Sequence, residues 1–154
     1  MANTAVRTAE GPGLSWTAPA HWIAKPASAM RKGTYTITGE AGASAELSIT
    51  AFPGSVGGDL ANINRWRGQV QLPPITASDL PSATRKIDAN GFQVTTVDFA
   101  GTAAGAPTRV LGAIVPVGDS TWFFKLTGPV GLLEREQATF TAFLLTIRST
   151  GAQP

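Results

Sequence analysis

Two different periods of apolar residues meet in the last third of the chain. The run Thr121-Trp122-Phe123-Phe124-Lys125-Leu126 is short and aromatic and follows the turn Gly118-Asp119, which is the composition of a half-buried or buried strand. Beyond a turn expected at Thr127-Gly128-Pro129, Leu133, Phe140, Leu144 and Ile147 recur at intervals of seven, four and three. They form one stripe of a 3.6-residue helix, with Phe143 at its edge. Pro129 suits the start of such a helix, where a missing N–H costs nothing. Glu134 and Glu136 near its beginning and Arg148 at its end follow the sign of the helix dipole. The pattern predicts a helix over 131–148 packed on the sheet that contains the aromatic strand.

The same reading places the other elements. Thr34-Tyr35-Thr36-Ile37-Thr38 alternates, and so does 45–52, with Leu47, Ile49 and Ala51 on one side and Glu46, Ser48 and Thr50 on the other. Gly39-Glu40-Ala41-Gly42 joins the two as a hairpin. A helix is expected over 59–71, capped by Asp59 and stopped by Pro73-Pro74, with Leu60, Ile63, Trp66 and Val70 toward the sheet. After a loop with a short turn at 75–79, strands over 84–89 and 92–100 flank Asn90-Gly91, the strongest short-range hairpin signal. The stretch 101–107 reads as a flexible connection and 109–117 as a largely buried strand. Six or seven mostly hairpin-linked strands with two separated main helices define an α+β chain with a mostly antiparallel central sheet. One domain is expected over 14–149, between a flexible tail at 1–13 and a short C-terminal tail at 150–154.

Composition narrows the chemistry. The absence of cysteine excludes disulfides, thiol nucleophiles and thiolate metal sites. Charged residues make up 14% of the chain, against roughly 25% in ordinary soluble domains. Gly, Ala, Ser and Thr take their place, a surface more typical of exported bacterial proteins than of cytosolic enzymes. An extracytoplasmic location, periplasmic or envelope-associated, is expected on that ground. The formal net charge is +2, from 12 basic and 10 acidic residues. Only Arg31-Lys32, 65–67 and Arg85-Lys86 cluster positive charge, so no nucleic-acid partner is expected. No apolar run approaches the ~20 residues of a membrane span. Residues 1–13 lack the apolar core of a signal peptide; an export signal trimmed from a mature chain would leave no trace.

Three stretches carry a resemblance. They are Pro19-Ala20-His21-Trp22, Asn62-Ile63-Asn64-Arg65-Trp66-Arg67-Gly68-Gln69 leading to Leu72-Pro73, and Trp122 to Pro129 leading into the closing helix. Together they resemble a PsbP-like domain, and more narrowly its uncharacterised bacterial extracytoplasmic and lipoprotein-type members. The resemblance implies an α/β/α sandwich around an antiparallel sheet and a non-catalytic role in binding protein partners. It brings no catalytic residues to this chain. The bacterial lipoproteins are anchored through an N-terminal cysteine, which this sequence does not have.

Candidate chemistry is sparse, and each candidate has a plain structural alternative. His21 is the single histidine; it follows a proline turn, where an exposed loop position is the ordinary expectation, and zinc would need further His or Cys ligands. No metal, no cofactor and no catalytic residues are expected. Ten scattered carboxylates leave open a small hydrolase or carbohydrate-active enzyme, with Asp98 and Asp119, both flanking strand ends, as the pair to test. Trp66 and Trp122 sit in apolar registers and read as core. Trp16, His21 and Trp22 form a candidate ligand groove. Within the helix expected at 59–71, Asn62, Arg65 and Gln69 gather opposite Ile63 and Val70, a candidate partner-binding strip or an ordinary solvated face. Arg67 turns inward and is expected to pair with Glu136 of the closing helix. The leading expectation is a non-enzymatic module that binds a protein or envelope component.

Overall fold

A computed structural model describes residues 5–7, 13–26, 31–54 and 57–149, with the backbone alone described for the first of these. Its centre is a sheet of seven strands: β3 (Ile23–Ala24), β4 (Gly33–Thr38), β5 (Ser44–Pro53), β6 (Arg85–Ala89), β7 (Phe92–Ala103), β8 (Ala106–Val117) and β9 (Ser120–Pro129). Their spatial order is β3-β4-β5-β9-β8-β7-β6, and every neighbouring pair is antiparallel. A second sheet places β2 (Leu14–Thr17) between β1 (Ala5–Arg7) and β10 (Arg148–Ser149). Two long helices complete the frame, α1 (Gly58–Gln69) and α3 (Val130–Leu144), with a single turn, α2 (Leu80–Ala83), between them.

Alternation along the strands decides what covers each face. Tyr35, Ile37, Leu47, Ile49, Ala113, Val115, Trp122, Phe124 and Leu126 point to one side and are buried. There they meet Leu133, Phe140, Phe143 and Leu144 of α3, together with Leu14 and Trp16 of β2. Phe143 is fully inside that contact, central to it where its angle on the stripe suggested an edge. Val97, Ile114 and Phe123 point to the opposite side and are covered by Ile63 and Trp66 of α1. The result is an α+β sandwich with α3 and the small sheet on one face and α1 on the other.

The differences from the sequence pattern lie at the joints. Helix α1 starts at Gly58 after Gly57, whose φ of 91° releases the chain from β5, and Asp59 falls inside the first turn with no side-chain cap. The stretch at 101–107, expected to be flexible, is instead the tip of a long hairpin: β7 and β8 pair up to Ala103↔Ala106. Ala104 and Gly105 at that tip have φ of 51° and 78°, as Asn90 and Gly91 have 52° and 93°, the left-handed pair a two-residue hairpin needs. The turn expected at Thr127-Gly128-Pro129 is strand, because β8 continues to pair through Thr108↔Pro129. Helix α3 ends at Leu144, and Arg148, expected as its last residue, pairs with Ser15 in β10. Ala5–Arg7, expected within a flexible tail, pairs with β2. The C-terminal stretch 150–154 lies outside the described residues.

Candidate functional site

The α1 face of the sheet changes character from one edge to the other. Reading across the strands, Thr34, Ser48, Lys125, Gly112 and Val97 are successive cross-strand neighbours. The first three are polar and the last two lie under Trp66. Gly112 is required there: a Cβ on it would stand 2.4 Å from Cζ3 of Trp66, so the indole packs directly against bare backbone. Thr50, Phe123 and Ile114 form the next row and change from polar to apolar in the same direction. Helix α1 therefore covers the β7–β8–β9 half. Among the described residues no helix covers the half formed by β4 and β5, where Thr36, Ser48 and Thr50 are partly exposed and Glu46 is exposed.

Along the border between the two halves, cations gather. Arg65 leaves the exposed side of α1 with its guanidinium carbon 6.0 Å from the ring centre of Phe123, and it donates to Oδ1 of Asn62 at 2.6 Å. Asn62, 1% exposed, also donates to the carbonyl of Gly58 at 2.7 Å. Gln69, one turn beyond Arg65, accepts a 2.6 Å hydrogen bond from Nζ of Lys125. Arg31 approaches from the β4 side and pairs with Glu46 at 3.2 Å. Burial, then the like charges of Arg65 and Arg31, push the Lys125 ammonium below its ordinary value, and Glu46 opposes the shift. Burial and like charge both disfavour the charged form of this half-buried ammonium, and Glu46 offsets them in part.

Of the strip Asn62, Arg65 and Gln69, two members are exposed and held in place, and the third is not part of the surface. The angular reading put Asn62 outward, but α1 sits so that its amide is buried and spent on positioning Arg65 and closing the first turn. The groove expected from Trp16, His21 and Trp22 does not form, since both tryptophans belong to the core. Trp16 packs edge-on against Trp122 and Phe124 and donates to the Tyr35 hydroxyl at 2.9 Å. Trp22 packs on Phe143, and its indole N–H donates to Oε1 of Glu136 at 3.0 Å. His21 remains half-exposed, its Nε2 at 3.0 Å and 3.1 Å from the two Glu136 oxygens.

That engagement of Glu136 also removes the expected pair with Arg67, because the two residues lie on opposite faces of the sheet. Arg67 instead donates through Nε to the carbonyl of Pro73 at 2.8 Å and lies 5.6 Å above the Phe99 ring. It snorkels along the sheet and does not bury a charge. The carboxylates Asp98 and Asp119 do not meet. Asp98 is opposite Leu111, eight residues of β8 and its turn before Asp119, or about 26 Å at strand rise. Asp98 is held by Arg109 in a bidentate pair of 2.8 Å and 2.7 Å and by Gln137 at 3.1 Å. Asp98 and Gln137 edge a cleft of about 610 Å³ between α3 and the β6–β7 end of the sheet, lined also by Leu111, Phe140 and Leu144. Among the described residues no three His, Asp or Glu side chains gather as a metal would require, and no helix is long and apolar enough to cross a membrane.

Lys125, Ser48 and Thr34 were not singled out by sequence reasoning. A signal was present: Lys125 is the single charge inside the aromatic run, two residues from Phe123 and so on the same side of its strand. What could not be read was the order of strands, which alone puts Lys125 beside Ser48 and under Gln69.

An antiparallel sheet with one long helix on each face, entered by the segment Pro19 to Trp22 and closed by α3, is a PsbP-like fold. Solved structures that share it include two with high coverage of both chains. LpqN of Mycobacterium tuberculosis, a protein involved in cell envelope biogenesis, superposes with a TM-score of 0.59 at 15% identity, over 91% of this chain and 84% of that one. The cyanobacterial PsbP protein CyanoP of Synechocystis sp. PCC 6803 gives 0.56 at 13% identity, over 90% and 87%. Compared by sequence, the chain matches no family model and no curated protein.

Proposed function

We propose that this chain is a non-enzymatic binding module of the cell envelope, working outside the cytoplasm, and that it meets a protein or envelope partner through the exposed side of α1 and the open half-sheet beside it. The observation that carries the reading is the way Arg65 and Gln69 are held. A buried asparagine is committed to orienting Arg65, and Gln69 is tied to Lys125 across the helix–sheet border. Long exposed side chains lose rotamer entropy when fixed in this way, and groups already ordered bind a partner at a smaller further cost. The location is supported by the sparse charge of the chain and by the envelope role of LpqN, which has the same fold.

The test is capture from an envelope extract of the source cells, comparing the parent with an Arg65→Glu, Gln69→Ala variant. Each change gives up one hydrogen bond, so a loss of about 1 kcal/mol per site is expected, with the fold retained by circular dichroism. The expected result is that proteins captured by the parent are lost. Capture of the same proteins by both forms would place the partner surface elsewhere.

A further inference from the structure

We infer that the group recognised on this face is the carboxylate of an acidic, extended polypeptide segment. The inference rests on the reading of that face as the partner surface and goes further, to the chemistry of what lies on it.

Charge comes first. Lys125 and Arg65 stand close together at the border of the open half-sheet, and the Lys125 ammonium is disfavoured first by burial and then by the like charges of Arg65 and Arg31. Arg31 is already opposed by Glu46, so the uncompensated charge is concentrated on the α1 side of the face. Next come the groups around it. The Ser48 hydroxyl, partly exposed, has no hydrogen-bond partner among the described residues, and Thr34 beside it on β4 is buried. They line up with Lys125 across three strands, a row of about 10 Å at the usual strand spacing. That is the length of about three residues of extended chain. Of that row Lys125 and Ser48 reach the surface, an ammonium and a hydroxyl that suit a carbonyl as well as a carboxylate.

The alternatives fit less well. Phosphate sites are commonly built from free backbone N–H groups at a helix start or a nest. Here β5 and β9 are paired on both sides, so the centre of the face presents side chains alone. An anionic membrane surface asks for a broad basic field, whereas this chain carries a net charge of +2 and places Glu46 within the same patch. A planar guanidinium with an adjacent ammonium suits a carboxylate. The open, flat half-sheet suits a strand-like segment.

The experiment is an amide NMR titration of the whole chain with a hexaglutamate peptide. Hexaglutamine, inorganic phosphate and vesicles of an anionic phospholipid serve as the other arms. Hexaglutamate should shift Ser48, Arg65, Gln69 and Lys125. Its affinity should fall at least about tenfold in an Arg65→Gln, Lys125→Met variant, and should also fall with added salt. Arg85→Gln, which removes a cation from the remote cleft, should change nothing, and the spectra themselves report whether each variant is folded. Equal weakening by Arg85→Gln would overturn the inference as mere net-charge attraction. Shifts at these residues with phosphate or vesicles, but not with hexaglutamate, would overturn it in favour of those ligands. Should hexaglutamate fail while the same variant also loses its captured partner, the carboxylate inference falls and the surface assignment stands. If hexaglutamate fails and capture persists, both fall.

Discussion

At Lys125 two demands conflict. The residue sits between buried Phe124 and Leu126 in β9, yet it carries a charge among other charges. Its ammonium is pushed below the ordinary value by burial and by Arg65 and Arg31, so in the absence of a ligand the charged form costs stability. The sign follows from proton counting. Below the folded-state pKa both states hold the proton and the full cost is present; between that pKa and the ordinary 10.5 the unfolded chain binds more protons, so stability rises with pH. Lys125→Met should therefore raise the thermal midpoint at neutral pH, with the gain shrinking as the pH approaches 10.5. A variant that is less stable at neutral pH would show that the Gln69 hydrogen bond outweighs the crowding. Arg67 makes the opposite case, an apparently inward charge that is not buried. Its contacts are one hydrogen bond to Pro73 and one ring face, so Arg67→Ala should cost about 1 kcal/mol in chemical denaturation. The roughly 3 kcal/mol or more that breaking a buried ion pair costs would contradict the arrangement of Arg67 and Glu136 on separate faces.

Elements were legible in the sequence to different degrees, for a physical reason in each case. The strands showed because Leu47, Ile49 and Ala51 alternate with polar neighbours, and Asn90-Gly91 names its own hairpin. The Ala104-Gly105 turn was missed because the residues around it are small and polar and alternate without contrast, although its φ angles match those at Asn90-Gly91. The end of α3 was overrun because Ile147 continues the apolar stripe by chance: it is buried, but after the chain has left the helix. The surface strip of α1 was two-thirds legible. A helical wheel gives the angle between residues and not the tilt of the helix on its sheet, and the tilt decides that Asn62 goes under and Arg65 out. Gly112 sets that tilt. With a Cβ 2.4 Å from Cζ3 of Trp66, Gly112→Ala should lift the indole and cost about 1–3 kcal/mol, the usual penalty of overpacking. The accompanying readout is Trp66 fluorescence, which should move toward that of a wetter indole. An unchanged midpoint and emission would mean that α1 does not rest on this strand.

At the scale of the whole molecule, the two faces of the sheet are covered differently. The α3 face is closed by a core in which Trp16, Trp22, Phe124 and Phe143 touch one another, and Glu136 fastens Trp22 and His21 to the helix. The α1 face is closed over half its width and left polar over the rest, with Arg65, Gln69 and Lys125 along the seam. That asymmetry follows from where Gly112 and Trp66 allow a helix to sit, and it leaves one face available to a partner. Hydroxyl-radical footprinting of the chain, alone and with the partner it captures, reads this claim at the level of side chains. The account predicts that labelling falls at Phe52, Arg65 and Lys125, on or beside the seam, and is unchanged at Leu145 and around the cleft at Arg85 and Thr141. Protection confined to that cleft or to the loop carrying His21, with Arg65 and Lys125 labelled as in the free chain, would contradict it.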